Sequence, residues 1–71
     1  MEYLVVIEKG SDSYGASVPD LPGCVAVGES RREALKLIRE GAALHIEALR
    51  DAGESVPLPV SKSEVIKIRA A

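Results

Sequence analysis

The stretch VPDLPGC, residues 18–24, decides where the strands of this chain can lie. Pro19 has no amide hydrogen to give to a sheet ladder, and the side chain of Asp20 can hydrogen-bond to its own backbone. Pro22 and Gly23 suit the two central positions of a type II turn, the second of which needs a positive φ. One strand must therefore end at Val18, and another must begin near Cys24.

Three runs around the turn have the pattern of strands. Residues 3–8 are rich in aromatic and β-branched side chains, and both faces of the run are largely apolar, which favours a central strand. Residues 14–18 alternate apolar with small or polar side chains, so we expect a strand with one wet face. The short polar turn between these two runs predicts an antiparallel hairpin. Residues 24–27 predict a short third strand, closed by Gly28.

A helix follows the third strand, and a capping box marks its start. Ser30 precedes Glu33 by three residues, so each side chain can accept a hydrogen bond from the backbone of the other. Gly53 suits the position just beyond the helix end. Gly41 lies on the apolar face, where the missing side chain is expected to permit close approach to a strand. The predicted buried stripe has two rows: Leu35, Ile38, Ala42 and Leu49, beside Leu37, Gly41, Leu44 and Ala48.

The chain after the helix predicts a connector and a last strand. The two prolines of VPLP, residues 56–59, favour extended polyproline-like chain that runs back across the domain. Residues 63–69 predict a fourth strand, in which Lys67 separates Ile66 from Ile68. The fold class is therefore α+β in the order β-β-β-α-β, a four-stranded sheet with one helix packed on one face. A right-handed crossover would lay the last strand parallel to the first or the third.

Length and composition restrict what the protein can do. The 71 residues, 46% of them hydrophobic, are expected to form one domain over residues 1–71. A core of this size yields about 3–5 kcal/mol, and the sheet face away from the helix stays apolar, so we expect a homo-oligomer. A net charge of −2 argues against direct nucleic-acid binding and permits a basic protein partner. No run resembles a secretory signal or a membrane span, so the expected location is cytoplasmic, with no membrane partner.

Residues that could carry chemistry are few and scattered. The lone Cys24 favours a small buried hydrophobe over a reactive thiol. His45 falls near the centre of the apolar stripe, which favours a packed neutral imidazole over a general base or ligand. Glu8, Asp12 and Asp20 lie on separate strand ends and turns, whereas a metal nuclease needs convergent carboxylates. We therefore predict no enzyme activity, no catalytic residue, no metal and no cofactor.

Several motifs in fixed order resemble the HicB-like antitoxin family. They are the Tyr-led first strand, the Tyr-Gly of the second, VPDLPGC, the Gly-x-Ser helix start at residues 28–30 and the G-E-x-x-P-x-P exit at residues 53–59. The resemblance covers nearly the entire chain and implies a degraded ribonuclease-H-like fold. It also implies a partner, because such antitoxins bind and inactivate HicA, a small basic toxin that cuts messenger RNA, and the pair represses its own operon.

The resemblance has one clear departure. Family members that bind operator DNA carry a further C-terminal helix-turn-helix or ribbon-helix-helix segment, and the sequence ends two residues after the predicted fourth strand. We therefore expect no C-terminal DNA-binding domain, and we do not carry over DNA binding or autoregulation.

The VPDLPGC loop is also the candidate partner-binding site, through Pro19, Asp20, Leu21 and Pro22. A pre-organised loop loses little entropy on binding, and we expect an exposed leucine for an apolar pocket and an aspartate for a basic partner. Turn chemistry alone also explains these residues, and the two interpretations are compatible.

Three functional hypotheses follow. The first is an antitoxin-like protein-binding module that occludes the active surface of a HicA-type toxin. The second is a solitary homo-oligomer with an unidentified regulatory role. The third and least favoured is a residual metal-dependent nuclease, for which Glu8, Asp20 and His45 would have to converge.

Overall fold

The computed structural model describes residues 1–70, which form a three-stranded antiparallel sheet covered on one face by a single helix. The elements are β1 (Val6–Lys9), β2 (Tyr14–Ser17), β3 (Val25–Gly28) and α1 (Arg31–Asp51). The strand order β1-β2-β3 makes β2 the central strand. The α+β class, the meander and the covering helix are therefore confirmed.

The predicted fourth strand is not formed by the single chain. Residues 63–69 have no strand conformation, and their apolar side chains are exposed, Val65 by 98%. As a result β1 is an edge strand, and the prediction that it is central is wrong for the described residues. The alternation of side chains shows that a segment can form a strand, but it does not identify a strand that lies beside it.

Strand register separates the two faces of the sheet. Ile7, Ala16 and Ala26 are directly opposite one another across the three strands. They lie on the face that packs against α1, because Ala16 is buried with the helix residues Ala34 and Ile38. Ala16, Val18, Leu21, Cys24, Ala34 and Ile38 make up the buried core.

Cys24 behaves as predicted for a lone cysteine. Its side chain is buried in the core and forms no disulfide. Burial raises the pKa of the Cys24 thiol, because the charged thiolate is disfavoured away from water. The side chain therefore acts as a small apolar packing group.

The helix begins at the predicted cap. The Ser30 Oγ accepts a hydrogen bond of 3.1 Å from the Glu33 N–H, as in a capping box. The Glu33 carboxylate reaches one residue further back than expected and accepts a 2.9 Å hydrogen bond from the Glu29 N–H. At the other end Ala52 is the C-cap, and Gly53 has the positive φ of 72° that was predicted beyond the helix end.

The close approach between helix and sheet occurs at Gly28, and the prediction of Gly41 is wrong. A Cβ atom built on Gly28 would lie 2.6 Å from the Ala34 backbone nitrogen, whereas one built on Gly41 would meet nothing within 4 Å. Gly28 ends β3 immediately before the helix cap, so the chain turns back over its own last strand residue. A side chain at this position would collide with the first turn of the helix.

One row of the predicted helix stripe faces the sheet and the other does not. Ala34 and Ile38 are buried, and Ala42, His45 and Leu49 are half-buried, which places the histidine on the packed side as predicted. The second row is solvent-exposed at three of its four positions, Leu37, Leu44 and Ala48. A narrow three-stranded sheet covers less of the helix than the broad apolar stripe would allow.

Candidate partner-binding surfaces

The VPDLPGC loop is a rigid double turn. The Val18 N–H donates to the Cys24 carbonyl at 3.1 Å, the Leu21 N–H to the Val18 carbonyl at 3.0 Å and the Cys24 N–H to the Leu21 carbonyl at 3.0 Å. Gly23 has a φ of 83°, as predicted for the second central position of a type II turn. The loop thus closes β2 onto β3 with three backbone hydrogen bonds.

The expectation of an exposed leucine in this loop is wrong. Leu21 is 0% exposed and is among the largest fully buried side chains of the described chain. The two turns fold the loop back on itself and direct this side chain into the core between sheet and helix. Pro19 and Pro22 are exposed and Asp20 is half-buried, so the two prolines are the most accessible of the four predicted site residues.

Asp20 holds the chain that follows the helix. Its Oδ2 accepts hydrogen bonds from the backbone N–H groups of Val60 at 3.0 Å and Ser61 at 2.8 Å, and its Oδ1 accepts one from the Ser61 hydroxyl at 2.7 Å. The two hydrogen bonds from Ser61 are the main reason that the pKa of Asp20 is lowered, since they favour the charged carboxylate. Sequence reasoning missed this role because the partners lie 40 and 41 residues away.

The connector, residues 54–61, has neither helix nor strand conformation and is attached at two points. The Tyr3 hydroxyl donates a hydrogen bond to the carbonyl of Pro57. Four residues later Asp20 holds the backbone at Ser61. The connector therefore crosses the end of the sheet from the segment that leads into β1 to the β2–β3 loop, which confirms the prediction that it runs back across the domain.

The outer face of the sheet is apolar, as predicted. Val6 on β1 and Val25 on β3 flank Ser17 on β2, and all three lie on the face away from the helix. Val25 and Val27 are exposed. Only small side chains stand between the valines, so this face is flat.

A second exposed surface lies on the helix. Leu37 and Leu44 point outward, and Leu44 is 66% exposed. Glu40 and Glu47 are exposed at positions three residues beyond each leucine, so helical spacing brings the four side chains together. We call Leu37, Glu40, Leu44 and Glu47 the acid–leucine face. It combines apolar area with negative charge.

The residues required for a nuclease are not brought together. Among residues 1–70, no group of three or more His, Cys, Asp or Glu side chains is placed to hold a metal ion. Glu8 pairs with Gly15, whereas Asp20 lies beyond the opposite end of β2 and is occupied by the connector. No helix in the described part of the chain is long and apolar enough to span a membrane.

Fold and surfaces together define a small α+β domain with exposed apolar and acidic faces, built on a meander and one capped helix. The sequence model of a family described as "HicB_like antitoxin of bacterial toxin-antitoxin system" matches residues 3–70. The chain belongs to the HicB-like antitoxin family.

Relatives of similar length come from distant organisms. A UPF0150 protein of Thermoplasma acidophilum is 41% identical over 58 residues, which cover 80% of this chain and 84% of the relative. A UPF0150 protein of Helicobacter pylori is 41% identical over 66 residues, which cover 93% and 90%. An uncharacterized 14.9 kDa protein of Haemophilus phage HP1 is 40% identical over 57 residues, 80% of this chain but 43% of the phage protein. The chain thus spans less than half of the phage relative, and no solved structure gives a significant match.

Proposed function

We propose that this chain is an antitoxin module that neutralises a small basic, HicA-type, mRNA-cleaving toxin by covering the toxin's active surface. Membership of the HicB-like antitoxin family supports an antitoxin role. The net charge of −2 suits a basic partner and does not suit direct binding to RNA or DNA. Inhibition is steric and electrostatic, and it takes place in the cytoplasm, where messenger RNA is cut.

The acid–leucine face is the contact surface that fits this partner best, and exposed Leu44 between Glu40 and Glu47 is the observation that carries the proposal. A desolvated apolar anchor supplies affinity at the centre of an interface. Carboxylates around it speed encounter with a positively charged protein and set its orientation. The outer face of the sheet is equally apolar, but its three strands carry one carboxylate there, that of Glu8 beside Gly15, whereas the acid–leucine face carries two.

The VPDLPGC loop contributes a second contact in this proposal, limited to its exposed prolines. Pro19 and Pro22 stand on a turn that three backbone hydrogen bonds hold rigid, so they lose little entropy on binding. Leu21 and Asp20 act indirectly, the first by anchoring the loop in the core and the second by holding the connector. A substitution at either of them changes binding through the fold.

The assignment of a degraded ribonuclease-H-like fold is part of the same proposal. A degraded ribonuclease-H-like sheet needs the order β-β-β-α-β, and the first four elements are present in that order. The last strand must come from residues 63–69, which are exposed in the single chain.

The experiment that tests the function takes any small basic protein encoded beside this chain and measures its cleavage of mRNA with increasing amounts of the chain. We expect the wild type to stop cleavage at near-equimolar ratio and Leu44→Asp to weaken inhibition at least tenfold. Val27→Asp is the matched control, because Val27 is 65% exposed but lies on the outer face of the sheet. Full cleavage in the presence of excess wild type refutes the antitoxin function. Loss of inhibition with Val27→Asp but not with Leu44→Asp moves the contact to the sheet.

The solitary homo-oligomer is the second candidate, and the exposed apolar sheet face favours it. Val25 and Val27 would be covered by another copy whether or not a toxin exists. If no small basic protein is inhibited or bound, a regulatory oligomer becomes the leading account.

A further inference from the structure

The free edge of β1 adjoins an open apolar groove. β1 pairs with β2 alone, and the backbone of an edge strand is a template for a further strand. Beside the segment that leads into β1, the sheet and the helix flank enclose a groove of about 590 Å³, whose lining includes Val5, Leu35 and Ile46. An additional strand on this edge would place its inward side chains in the groove.

The C-terminal segment, residues 62–70, projects from the domain. The longest dimension of the molecule is 52 Å, whereas a helix of 21 residues accounts for about 32 Å. The radius of gyration is 14.2 Å, against about 11 Å for a compact chain of this length. In extended conformation Ile66 and Ile68 lie on one side of this segment, and Val65, Lys67 and Arg69 lie on the other.

The connector leads this segment away from the chain's own β1 edge. The hydrogen bond from Tyr3 holds Pro57 beside the segment before β1, and Asp20 then holds Ser61 at the β2–β3 loop. The chain has therefore crossed the end of the sheet, away from the free edge, before residue 62. Ile66 is 74% exposed and finds no cover in its own domain.

We propose that residues 63–69 of one copy of this chain pair with the free edge of β1 in a second copy, and that the exchange is reciprocal. Ile66 and Ile68 then fill the partner copy's groove. Lys67 and Arg69 fall on the outer face of the sheet, which carries the exposed carboxylate of Glu8. Two unsatisfied features of the single chain, an open edge and an uncovered apolar segment, are satisfied together in a dimer. The inference goes beyond the toxin proposal and does not depend on it.

Sedimentation equilibrium between 1 and 100 µM tests the dimer, with Ile66→Asp compared with Leu44→Asp. Leu44 and Ile66 are both exposed in the single chain, so neither substitution disturbs the core. We expect the wild type and Leu44→Asp to be dimers and Ile66→Asp to be monomeric up to 100 µM with an unchanged helix signal. Ile66→Pro, which also removes a strand hydrogen bond, should behave in the same way. A monomeric wild type at 100 µM, or a dimer that both Ile66 variants leave intact, overturns the proposal.

Cross-linking between two differently labelled chains tests whether the C-terminal segment pairs with the β1 edge of the second copy. One chain carries Lys67→Cys, and the other carries Val6→Cys or Glu8→Cys, because neighbouring strands place facing Cα atoms within disulfide range. The native Cys24 is buried. We expect a mixed disulfide dimer with at least one β1 position and none with the control Glu47→Cys on the outer helix face. Equal cross-linking with the control, or none with either β1 position, overturns the assignment of the β1 edge.

Discussion

The contact between Gly28 and the start of α1 predicts opposite effects for two glycine-to-alanine substitutions. In Gly28→Ala the new Cβ would lie 2.6 Å from the Ala34 backbone nitrogen and 3.0 Å from its Cα. The Ala34 N–H donates a 2.9 Å hydrogen bond to the Ser30 carbonyl, so these backbone atoms cannot move aside cheaply. In Gly41→Ala the new Cβ meets nothing within 4 Å and only the helix preference changes.

The magnitudes follow from the two environments. Overpacking costs about 1–3 kcal/mol, and contact with backbone puts Gly28→Ala at the upper end, about 2–3 kcal/mol less stable. Replacement of a mid-helix glycine by alanine stabilises by about 1 kcal/mol. A domain of this size has about 3–5 kcal/mol of stability, so Gly28→Ala removes about two fifths of it or more.

Urea unfolding followed by circular dichroism measures both effects. With a denaturant slope of about 1 kcal/mol/M, the unfolding midpoint should fall by about 2–3 M for Gly28→Ala and rise by about 1 M for Gly41→Ala. All samples are compared at one protein concentration, because self-association adds to apparent stability. A midpoint for Gly28→Ala equal to or above that of the wild type refutes the close approach. A lower midpoint for Gly41→Ala shows that this position is packed after all.

Three further substitutions, and one control, test the loop, the connector and the cap. Leu21→Ala empties a fully buried position and should cost about 2–5 kcal/mol in urea unfolding, whereas Pro22→Ala should cost under about 1 kcal/mol. Folding lowers the pKa of Asp20, so its carboxylate stabilises the folded state at pH values above the unfolded-chain pKa of about 3.9. This stabilisation is lost as the pH falls through the lower folded-state pKa. Asp20→Asn should abolish that acid-dependent loss and speed amide exchange at Ser61. Ser30→Ala should cost about 1 kcal/mol, and an unchanged midpoint would show that the cap is dispensable.

Local sequence signals predict the local structure of this chain. The Ser30 capping box, the positive φ of Gly23 and Gly53 and the meander all depend on residues within a few positions of one another. Turn and cap chemistry restricts the backbone directly, so such features can be inferred without the fold.

The particular side-chain contacts between distant segments could not be predicted. Asp20 was assigned to a partner surface, but its hydrogen bonds go to a connector about 40 residues away. The buried direction of Leu21 and the close approach at Gly28 depend on where the helix lies over the sheet. The segment around Ile66 has the alternation of a strand, which is a property of the segment alone, whereas pairing requires an edge.

The proposed function requires that this chain binds and neutralises a small basic protein. Affinity capture from native cells at physiological salt, with mass spectrometry of the co-purified proteins, tests it most directly when the wild type and Leu44→Asp are used side by side. We expect a small basic protein in near-stoichiometric yield with the wild type and a strong loss with Leu44→Asp. Recovery of the chain alone in repeated captures with the wild type would refute binding to such a partner.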